Sequence, residues 1–350
     1  MRAVMFTKWT TFPTIEEVEK PSPGPGEVLL KVAGAGACHS DVAVFNDMDG
    51  SVAPPQLQPP FVLGHENSGW VEEVGPGVTG IKPGAAYLVY GPIGCGHCPA
   101  CSRGQDTYCY NIADMPYLAS GLGRDGGMAE YMTVPARNLV PLEDSDPIAA
   151  APLSDAGLTP YHAIKLALPT LQGGGKTALV IGLGGLGQLA VQILTAITGA
   201  TVIATDTKPE AMKRASEHGA IVVPSGDDQA TSIRELTGGR GVDAVFDFVG
   251  IASTVALAMS SVAVRGRVTI VGIAGGTYEW GFYTAPYEAE LLSTYWGTLE
   301  ELHEVVALYR VGKISPDVEI YDMEEALTAY KKLEAGEIAG RAVVAPNGRG

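Results

Sequence analysis

The sequence has 350 residues, of which 46% are hydrophobic and 18% are charged, and its formal net charge is −16. A chain of this length has material for two domains of ordinary size. The strong acidity argues against binding to nucleic acid or to anionic membranes. The N-terminal run MRAVMFTKWTTFP lacks the long apolar stretch of a signal peptide. We therefore expect a cytoplasmic protein with no nucleic-acid partner and no membrane partner.

The first 150 residues contain short β-like runs that are separated by glycine and proline. These runs are EVLLKVAGAG, SGWVEEVG, AAYLVYG and AEYMTVP. Short strands with such turns predict an irregular, barrel-like β domain. Between Asn46 and Pro60 the chain has four prolines and no periodic pattern, which predicts a surface loop over a site.

A loop within this β-rich region holds four of the five cysteines, Cys95, Cys98, Cys101 and Cys109. The spacing C-x2-C-x2-C-x7-C lets one loop wrap a tetrahedral zinc ion with four thiolates. Four thiolates leave no position for a substrate, so we predict a structural zinc. His97 lies inside the loop and is expected to be a solvated bystander. An iron–sulfur cluster is the alternative that the cysteine count leaves open.

From about Gly157, strand-like and helix-like segments alternate along the chain. The strand-like runs are TALVIGL, TVIATD, IVVP, VDAVFDFVG, GRVTIVGI and LLSTYWG, and the helix-like runs include GGLGQLAVQILTAITG, KPEAMKRASEHG, DQATSIRELTGG and STVALAMSSVAV. Six strands with intervening helices predict an α/β, doubly wound parallel-sheet Rossmann domain. The tail leaves this alternation. We therefore predict a catalytic domain over 1–156, completed by 295–350, and a dinucleotide-binding domain over 157–294.

A glycine motif lies between the first predicted strand and helix of this second domain. Gly182, Gly184 and Gly187 form G-x-G-x-x-G, in the strand–turn–helix context that a dinucleotide fingerprint requires. Its backbone approaches a pyrophosphate at the helix N-terminus. Asp206 ends the next predicted strand, where a carboxylate binds the adenosine ribose and repels the extra phosphate of NADP. NAD is therefore the predicted cofactor, and the alternative for Asp206 is a cap of the next helix.

These features occur together in one known family. The chain resembles the zinc-dependent medium-chain alcohol dehydrogenases and is most similar to their bacterial, NAD-dependent secondary-alcohol members, through DAGLTPYH at 155–162. The other matching pieces, in the family's order, are ACHSD at 37–41, GHE at 64–66, the four-cysteine loop, GLGGLG at 182–187 and Asp206.

The resemblance implies a second, catalytic zinc ion. Its ligands would be Cys38, His65 and Asp155, which leave a fourth zinc position open for substrate. Glu66 would lie near the metal as an alternate ligand, and Asp41 would orient the ligand histidine. Each predicted ligand also has a simpler interpretation. Cys38 is then a small buried residue, His65 a core histidine and Asp155 a helix N-cap.

The resemblance also assigns residues to catalysis and binding. Ser40 would hydrogen-bond the alcohol and begin its proton relay, but Ala43 stands where many relatives have the histidine that ends this relay. The predicted cofactor contacts are His39 and Arg341 at the phosphates, Gly182, Gly184, Gly185, Leu186 and Gly187 in the glycine loop, Asp206 at the ribose, and Thr159, Val271, Gly272 and Ile273 near the nicotinamide. Tyr295 and Trp296 are predicted to line the substrate pocket, with an interface role as the alternative.

The predicted activity is reversible hydride transfer between NAD(H) and a small-molecule secondary alcohol or ketone, with two zinc ions per chain. A polyol, primary-alcohol or aldehyde dehydrogenase of the same family is an alternative. A non-catalytic nucleotide-binding protein is a second one, and zinc-free quinone and enone reductases lack the metal-ligating residues found here. The family also implies a homo-oligomer, either a dimer or a tetramer.

Overall fold

The computed structural model describes residues 1–349. Within them the strands are β1 Arg2–Phe6, β2 Thr14–Glu17, β3 Glu27–Ala37, β4 Phe61–Val62, β5 Glu66–Val74, β6 Ala86–Val89, β7 Ala119–Ser120, β8 Gly123–Arg124, β9 Tyr131–Pro135, β10 Leu139–Pro141, β11 Thr177–Ile181, β12 Thr201–Thr205, β13 Ile221–Val222, β14 Val242–Asp247, β15 Val262–Ile270, β16 Glu290–Ser293, β17 Val318–Asp322 and β18 Arg341–Ala345. The helices in the same range are α1 His39–Asn46, α2 Pro147–Ala150, α3 Leu158–Leu171, α4 Gly185–Ile197, α5 Pro209–Glu217, α6 Gln229–Glu235, α7 Ala252–Ser261, α8 Leu299–Arg310 and α9 Ala326–Glu334.

The chain divides into two units. The first unit contains Met1–Ala156, Gly297–Arg310 and the residues from Pro316 onward, and the second contains Gly157–Trp296 and Val311–Ser315. The later boundary lies two residues beyond the sequence prediction. The short segment 311–315, which the sequence analysis assigned to the first domain, lies with the second unit.

The first unit is built on antiparallel strands. Its largest sheet has the order β10-β6-β5-β3-β18-β17, and β9 pairs with β3 outside this path. A smaller sheet has the order β2-β1-β4. Strand β18, near the C-terminus, pairs antiparallel with β3 and parallel with β17, so the end of the chain completes the main sheet of this unit. The irregular, β-rich character predicted from the short runs is confirmed.

The second unit contains a six-stranded parallel sheet in the order β13-β12-β11-β14-β15-β16. Chain order reverses between β11 and β14, which is the switch point where doubly wound sheets bind ligands at the carboxyl ends of their strands. The core of the sheet consists of apolar residues from these strands, such as Leu179, Ile203, Val245 and Val268. The predicted Rossmann architecture is therefore confirmed, and its strand order places the glycine motif beside the switch point.

Two predicted elements differ from the structure at their ends. The helix predicted over STVALAMSSVAV ends at Ser261, and its last residues begin β15. Val262 and Val264 are β-branched and favour a strand, and a register shift after Val242 lets this strand pair early. The strand predicted over LLSTYWG ends at Ser293. It could not have continued to the end of that run, because Trp296 has a backbone φ of 54°, which no regular strand contains.

The described helices include none that combines the length and the apolar character needed to cross a bilayer.

An ion-pair cluster ties the first strand of the parallel sheet to β14. Asp243 accepts hydrogen bonds from Nζ of Lys176 at 3.0 Å, from the Thr177 backbone at 2.9 Å and from both Nη atoms of Arg240. Burial alone would raise the pKa of Asp243, but the hydrogen bonds from Arg240, Thr177 and Lys176 lower it to about 2. A carboxyl group with a lowered folded-state pKa stabilises the fold above its unfolded pKa of about 4.

Replacing Asp243 by asparagine is therefore expected to lower the free energy of unfolding by about 2 kcal/mol at pH 7. In the unmodified protein this contribution is lost as the pH falls through about 4 towards 2, so the difference from Asp243→Asn should shrink over the same range. Urea unfolding followed by circular dichroism at several pH values measures it. The exposed Asp227, changed to asparagine, is the matched control. Equal urea midpoints for the two variants at pH 7 would contradict the prediction.

Candidate metal centres and cofactor-binding loop

Three residues from distant parts of the first unit converge on one point. Cys38 lies between β3 and α1, His65 directly precedes β5, and Asp155 follows a 3-10 turn over Ala151–Ser154. Their ligand atoms all lie within 4.8 Å of one another, and Oδ2 of Asp155 is 3.7 Å both from Sγ of Cys38 and from Nε2 of His65. Asp155 does not cap helix α3, because the N-cap position of that helix belongs to Gly157.

The donor set fits zinc. A thiolate, an imidazole nitrogen and a carboxylate oxygen are its usual protein ligands, and atoms bound to one tetrahedral zinc ion lie roughly 3.3–3.8 Å apart. The two distances of 3.7 Å from Asp155 agree with that spacing. Three protein ligands leave one tetrahedral position for another molecule, which is the arrangement of a catalytic rather than a structural zinc site.

A buried carboxylate orients the histidine of this group. Nδ1 of His65 lies 2.9 Å from Oδ1 of Asp41, and Asp41 is fully buried. Burial lowers the pKa of His65, but the charge of Asp41 and the hydrogen bond with Asp155 raise it well above its ordinary value. Asp41 accepts the proton of Nδ1, so the other ring nitrogen, Nε2, is directed towards Asp155. The negative charges of Asp41 and Asp155 favour a cation between Nε2 and Asp155.

Glu66 and Arg341 form a buried ion pair beside the three converging residues. Nε of Arg341 donates to Oε2 of Glu66 at 2.9 Å, Nη2 contacts Oε1, and Nη2 also lies 3.6 Å from Oδ2 of Asp155. Burial raises the pKa of Glu66, and Arg341 acts in the opposite direction. A Cβ at Gly36 would overlap with the Glu66 carboxylate, so this strand position requires glycine.

Four further predicted site residues differ in their relation to the Cys38–His65–Asp155 group: Ser40, Glu66, Arg341 and His39. Oγ of Ser40 lies 3.5 Å from Sγ of Cys38, which is compatible with contact to a molecule at the open zinc position. Glu66 pairs with Arg341 and is not one of the three residues whose ligand atoms converge. Arg341 is buried against Glu66, and His39 is exposed at the start of α1. The alternate-ligand role of Glu66 and the phosphate contacts of His39 and Arg341 stay predictions.

The four loop cysteines form a second group of ligand atoms. Cys95, Cys98, Cys101 and Cys109 bring their sulfur atoms within 4.8 Å of one another, and all four are free thiols. Sγ of Cys95 and Sγ of Cys101 are 4.0 Å apart, close to the separation of roughly 3.8 Å in a tetrahedral zinc–sulfur site. The ring of His97 is outside this group, with Nδ1 2.7 Å from the Cys95 carbonyl oxygen.

Hydrogen bonds from the loop backbone favour the thiolate form of Cys95 and Cys98, whose pKa values are lowered, whereas burial raises the pKa of Cys101. The Cys98 nitrogen donates to Sγ of Cys95 at 3.4 Å, and the side-chain amide of Asn111 donates to the same sulfur at 3.3 Å. The backbone of His97 lowers the pKa of Cys95 most strongly, burial opposes it, and with Cys98 and Asn111 the value falls to about 6. Thiolates are the species that bind metal, so Cys95 and Cys98 are the two ligands of this group that the surrounding hydrogen bonds already favour in that form.

The glycine motif forms the turn between β11 and α4. Gly182 has a φ of 85°, which an L-residue rarely adopts, and a Cβ at Gly187 would overlap with the Gly182 carbonyl oxygen. A Cβ at Gly184 would meet no atom within 4 Å. The backbone beside Gly184 is thus open to a ligand, whereas Gly182 and Gly187 are needed by the turn itself. Gly185 and Leu186 begin α4 at the end that carries its free N–H groups.

Asp206 joins the glycine loop from the end of β12. Its Oδ2 accepts a hydrogen bond from the Leu183 backbone at 2.6 Å, and its Oδ1 accepts one from the Lys208 backbone at 2.8 Å. The N-cap residue of α5 is Lys208, so Asp206 does not have the helix-cap role that was its alternative. The Asp206 carboxylate therefore lies beside the glycine loop, and its role in binding the ribose stays a prediction.

The remaining predicted contacts also belong to the second unit. Val271 and Gly272 follow β15, and both their nitrogens donate to the Asp247 carbonyl oxygen, at 2.8 and 3.0 Å. Thr159 is buried in α3, and Ile273 is exposed. Tyr295 is exposed, Trp296 is buried, and their rings meet edge to face with centroids 6.1 Å apart. Their roles at the nicotinamide and in the substrate pocket stay predictions.

The sequence analysis missed two residues beside the converging group. Gly36 has no side chain and so leaves room for the Glu66 carboxylate. The hydroxyl of Tyr330 donates to Oδ2 of Asp41 at 3.1 Å. Tyr330 stands 289 residues after Asp41 in an ordinary amphipathic helix. No local pattern marks it, and only the pairing of β18 with β3 suggests that the C-terminal segment returns to this unit.

Two protein families match separate parts of the chain, and curated relatives and solved structures match nearly all of it. Residues 24–144 match the family described as alcohol dehydrogenase GroES-like domain, and residues 185–310 match the family described as zinc-binding dehydrogenase. An NAD-dependent alcohol dehydrogenase of Sulfolobus acidocaldarius is 36% identical over 98% of this chain and 99% of its own length. A D-arabinose 1-dehydrogenase (NADP(+)) of Saccharolobus solfataricus is 32% identical over 99% of this chain and 97% of its own.

Solved structures show the same similarity. The alcohol dehydrogenase of the archaeon Aeropyrum pernix superposes with a TM-score of 0.90 at 36% identity, covering 99% of this chain and 100% of that one. The acetophenone reductase of Geotrichum candidum, solved in complex with NAD, superposes with a TM-score of 0.85 at 34% identity, covering 99% and 97% of the two chains.

Proposed function

Because the chain belongs to the zinc-dependent medium-chain alcohol dehydrogenase family, we propose that it oxidises a secondary alcohol to a ketone with NAD, and catalyses the reverse reaction. The observation that carries this proposal is the convergence of Cys38, His65 and Asp155 within 4.8 Å, with a donor set that suits zinc and leaves one position for substrate.

We assign the two kinds of chemistry to different units. The first unit holds the catalytic zinc at Cys38, His65 and Asp155 and a structural zinc at the four-cysteine loop. When bound, the catalytic zinc acts as a Lewis acid that stabilises negative charge on the substrate oxygen. NAD, held by the second unit, supplies the hydride acceptor. The protein contributes position and charge.

The residues of the chain then have separate roles. The Ser40 hydroxyl accepts the proton of the substrate hydroxyl group, and its place 3.5 Å from Sγ of Cys38 supports this role. Asp41 keeps His65 in the tautomer whose Nε2 is a ligand. Because Ala43 has no titratable group, Ser40 would pass the proton on to water and to the ribose hydroxyl that bound NAD would supply. The product is one ketone, one NADH and one proton for each alcohol oxidised.

The cofactor preference is assigned to Asp206. Its carboxylate lies at the end of β12 beside the glycine loop and carries the negative charge that disfavours a ribose phosphate.

The other predicted contacts keep their assignments. We assign the nicotinamide to Thr159, Val271, Gly272 and Ile273, and the phosphates to His39 and Arg341. Tyr295 and Trp296 are assigned to the substrate pocket, where their apolar rings suit an alkyl or aryl ketone.

One assay tests this function. The purified protein is supplied with NAD or with NADP and with a panel of primary, secondary and polyhydric alcohols and an aldose. We expect the highest kcat/KM for a secondary alcohol with NAD, and metal analysis is expected to find two zinc ions per chain. Preference for the aldose with NADP would instead favour the activity that the D-arabinose relative's name describes. No reduction of either cofactor with any substrate would refute the proposal.

We also propose a homo-oligomer, dimer or tetramer, in the cytoplasm. The second unit exposes a group of aromatic side chains before its edge strand β16, with Phe282 73% and Tyr283 92% accessible. Exposed aromatic clusters of this kind are typical of protein interfaces. The five free cysteines suit a reducing compartment. Light scattering of the purified protein measures the mass, and a monomer at all concentrations would contradict the oligomer.

A further inference from the structure

The Asp41 carboxylate is shared by three hydrogen-bond donors in the buried interior of the first unit. Its Oδ1 pairs with Nδ1 of His65 at 2.9 Å, and its Oδ2 accepts from the Cys38 backbone nitrogen and from the Tyr330 hydroxyl, each at 3.1 Å. Asp41 and Tyr330 are both 0% exposed. One carboxylate therefore holds two of the three proposed zinc ligands, and the third donor comes from a different part of the chain.

Packing determines where the Tyr330 hydroxyl points. Tyr330 lies on α9, and its ring meets the ring of Phe45 edge to face, with centroids 5.7 Å apart and an interplanar angle of 89°. Phe45 lies on α1, the helix that also carries Asp41. The aromatic contact thus packs α9 against α1, with the Tyr330 hydroxyl 3.1 Å from Oδ2 of Asp41. Burial is the main reason why the pKa of Tyr330 is raised well above its ordinary value, so the hydroxyl stays protonated and remains a donor.

We infer that Tyr330 is a positioning residue for the Cys38–His65–Asp155 centre, acting through Asp41. This inference rests on the proposed function, because it requires zinc at that centre. A buried carboxylate that loses one of its donors is less well stabilised and less well held. Loss of the Tyr330 hydroxyl therefore loosens the group that fixes the His65 ring and the Cys38 backbone. Mutation of a residue that hydrogen-bonds a metal ligand lowers metal affinity by about 10–100-fold. Tyr330 is one hydrogen bond further from the metal, so we expect an effect at the lower end of that range.

The experiment uses the full-length zinc-loaded protein and its Tyr330→Phe variant, which keeps the aromatic ring and removes only the hydroxyl. Excess chromogenic chelator is added, and zinc release is followed by absorbance. The unmodified protein is expected to release zinc in two phases, one for each centre. Cys38→Ser identifies the phase of the catalytic centre, because that variant should lack it. In Tyr330→Phe, we expect this phase to become about tenfold faster while the phase of the four-cysteine loop keeps its rate.

Tyr321→Phe is the matched control. Tyr321 is also a buried tyrosine of the first unit, and its hydroxyl also donates to a carboxylate, Oε2 of Glu319 at 2.9 Å. Glu319 is not among the residues that contact the zinc ligands, so both phases should keep their rates. Urea midpoints of the two variants show whether their losses of stability are comparable.

The outcomes separate the inference from its premise. Unchanged or slower release from the catalytic centre of Tyr330→Phe would overturn the inference, and so would equal acceleration of both phases, which indicates a general loss of stability. A single zinc ion in the unmodified protein would refute the proposed catalytic centre itself, and the inference with it.

Discussion

The Cys38→Ser protein is expected to contain one zinc ion per chain and to lose dehydrogenase activity. Serine is a poor zinc ligand, and two remaining ligands, His65 and Asp155, do not hold the ion. A Lewis acid at the substrate oxygen contributes several kcal/mol to the stabilisation of the transition state. The loss of kcat/KM should therefore be roughly a thousandfold or more. Metal analysis and NAD reduction with the best alcohol of the panel measure the two effects.

The fold should survive this substitution. Cys38 is 95% buried, and its backbone nitrogen keeps the hydrogen bond to Asp41 that holds the start of α1. Circular dichroism checks the fold, and Cys95→Ser is the matched control from the other metal centre. That control should also lose one zinc ion, but it should retain activity in proportion to its folded fraction. Two zinc ions or full activity in Cys38→Ser would contradict the assignment of the catalytic centre.

The fold class could be predicted because it depends on patterns within short segments. A run such as TALVI followed by glycines and an apolar helix is typical of a β–α unit, and repetition of this unit restricts the topology to a parallel sheet. The ends of elements were less predictable. The run VAV at 262–264 is compatible with a helix end and with a strand, and pairing with β14 decides for the strand.

The candidate site could be predicted only in part. The four-cysteine loop is local, so its spacing alone indicates a metal site. Cys38 and Asp155 are separated by 117 residues, and only the resemblance to a family brought them together before the structure did. The contacts of Glu66 with Gly36 and of Asp41 with Tyr330 depend on strand pairing and helix packing between segments far apart in the chain. No periodicity in one segment contains that information.

Replacing Gly184 by alanine should weaken NAD binding by about tenfold or more without changing the stability of the protein. In the structure, a Cβ at this position meets no atom within 4 Å, and the φ of −71° lies outside the left-handed region. The turn therefore accepts alanine. The added methyl group would instead occupy space that the cofactor pyrophosphate needs in order to approach the backbone. Titration of NAD against protein fluorescence measures the Kd, and urea unfolding measures the stability.

Two neighbouring glycines make this prediction specific. At Gly187 a Cβ would overlap with the Gly182 carbonyl oxygen, so Gly187→Ala should lower both stability and NAD affinity. At Gly199, beyond the end of α4, a Cβ also meets open space, and Gly199→Ala should change neither. Only a residue beside the bound cofactor is expected to separate the two measurements. If Gly184→Ala bound NAD with the affinity of the unmodified protein, the pyrophosphate would not approach this loop, and the cofactor site would have to lie elsewhere on the second unit.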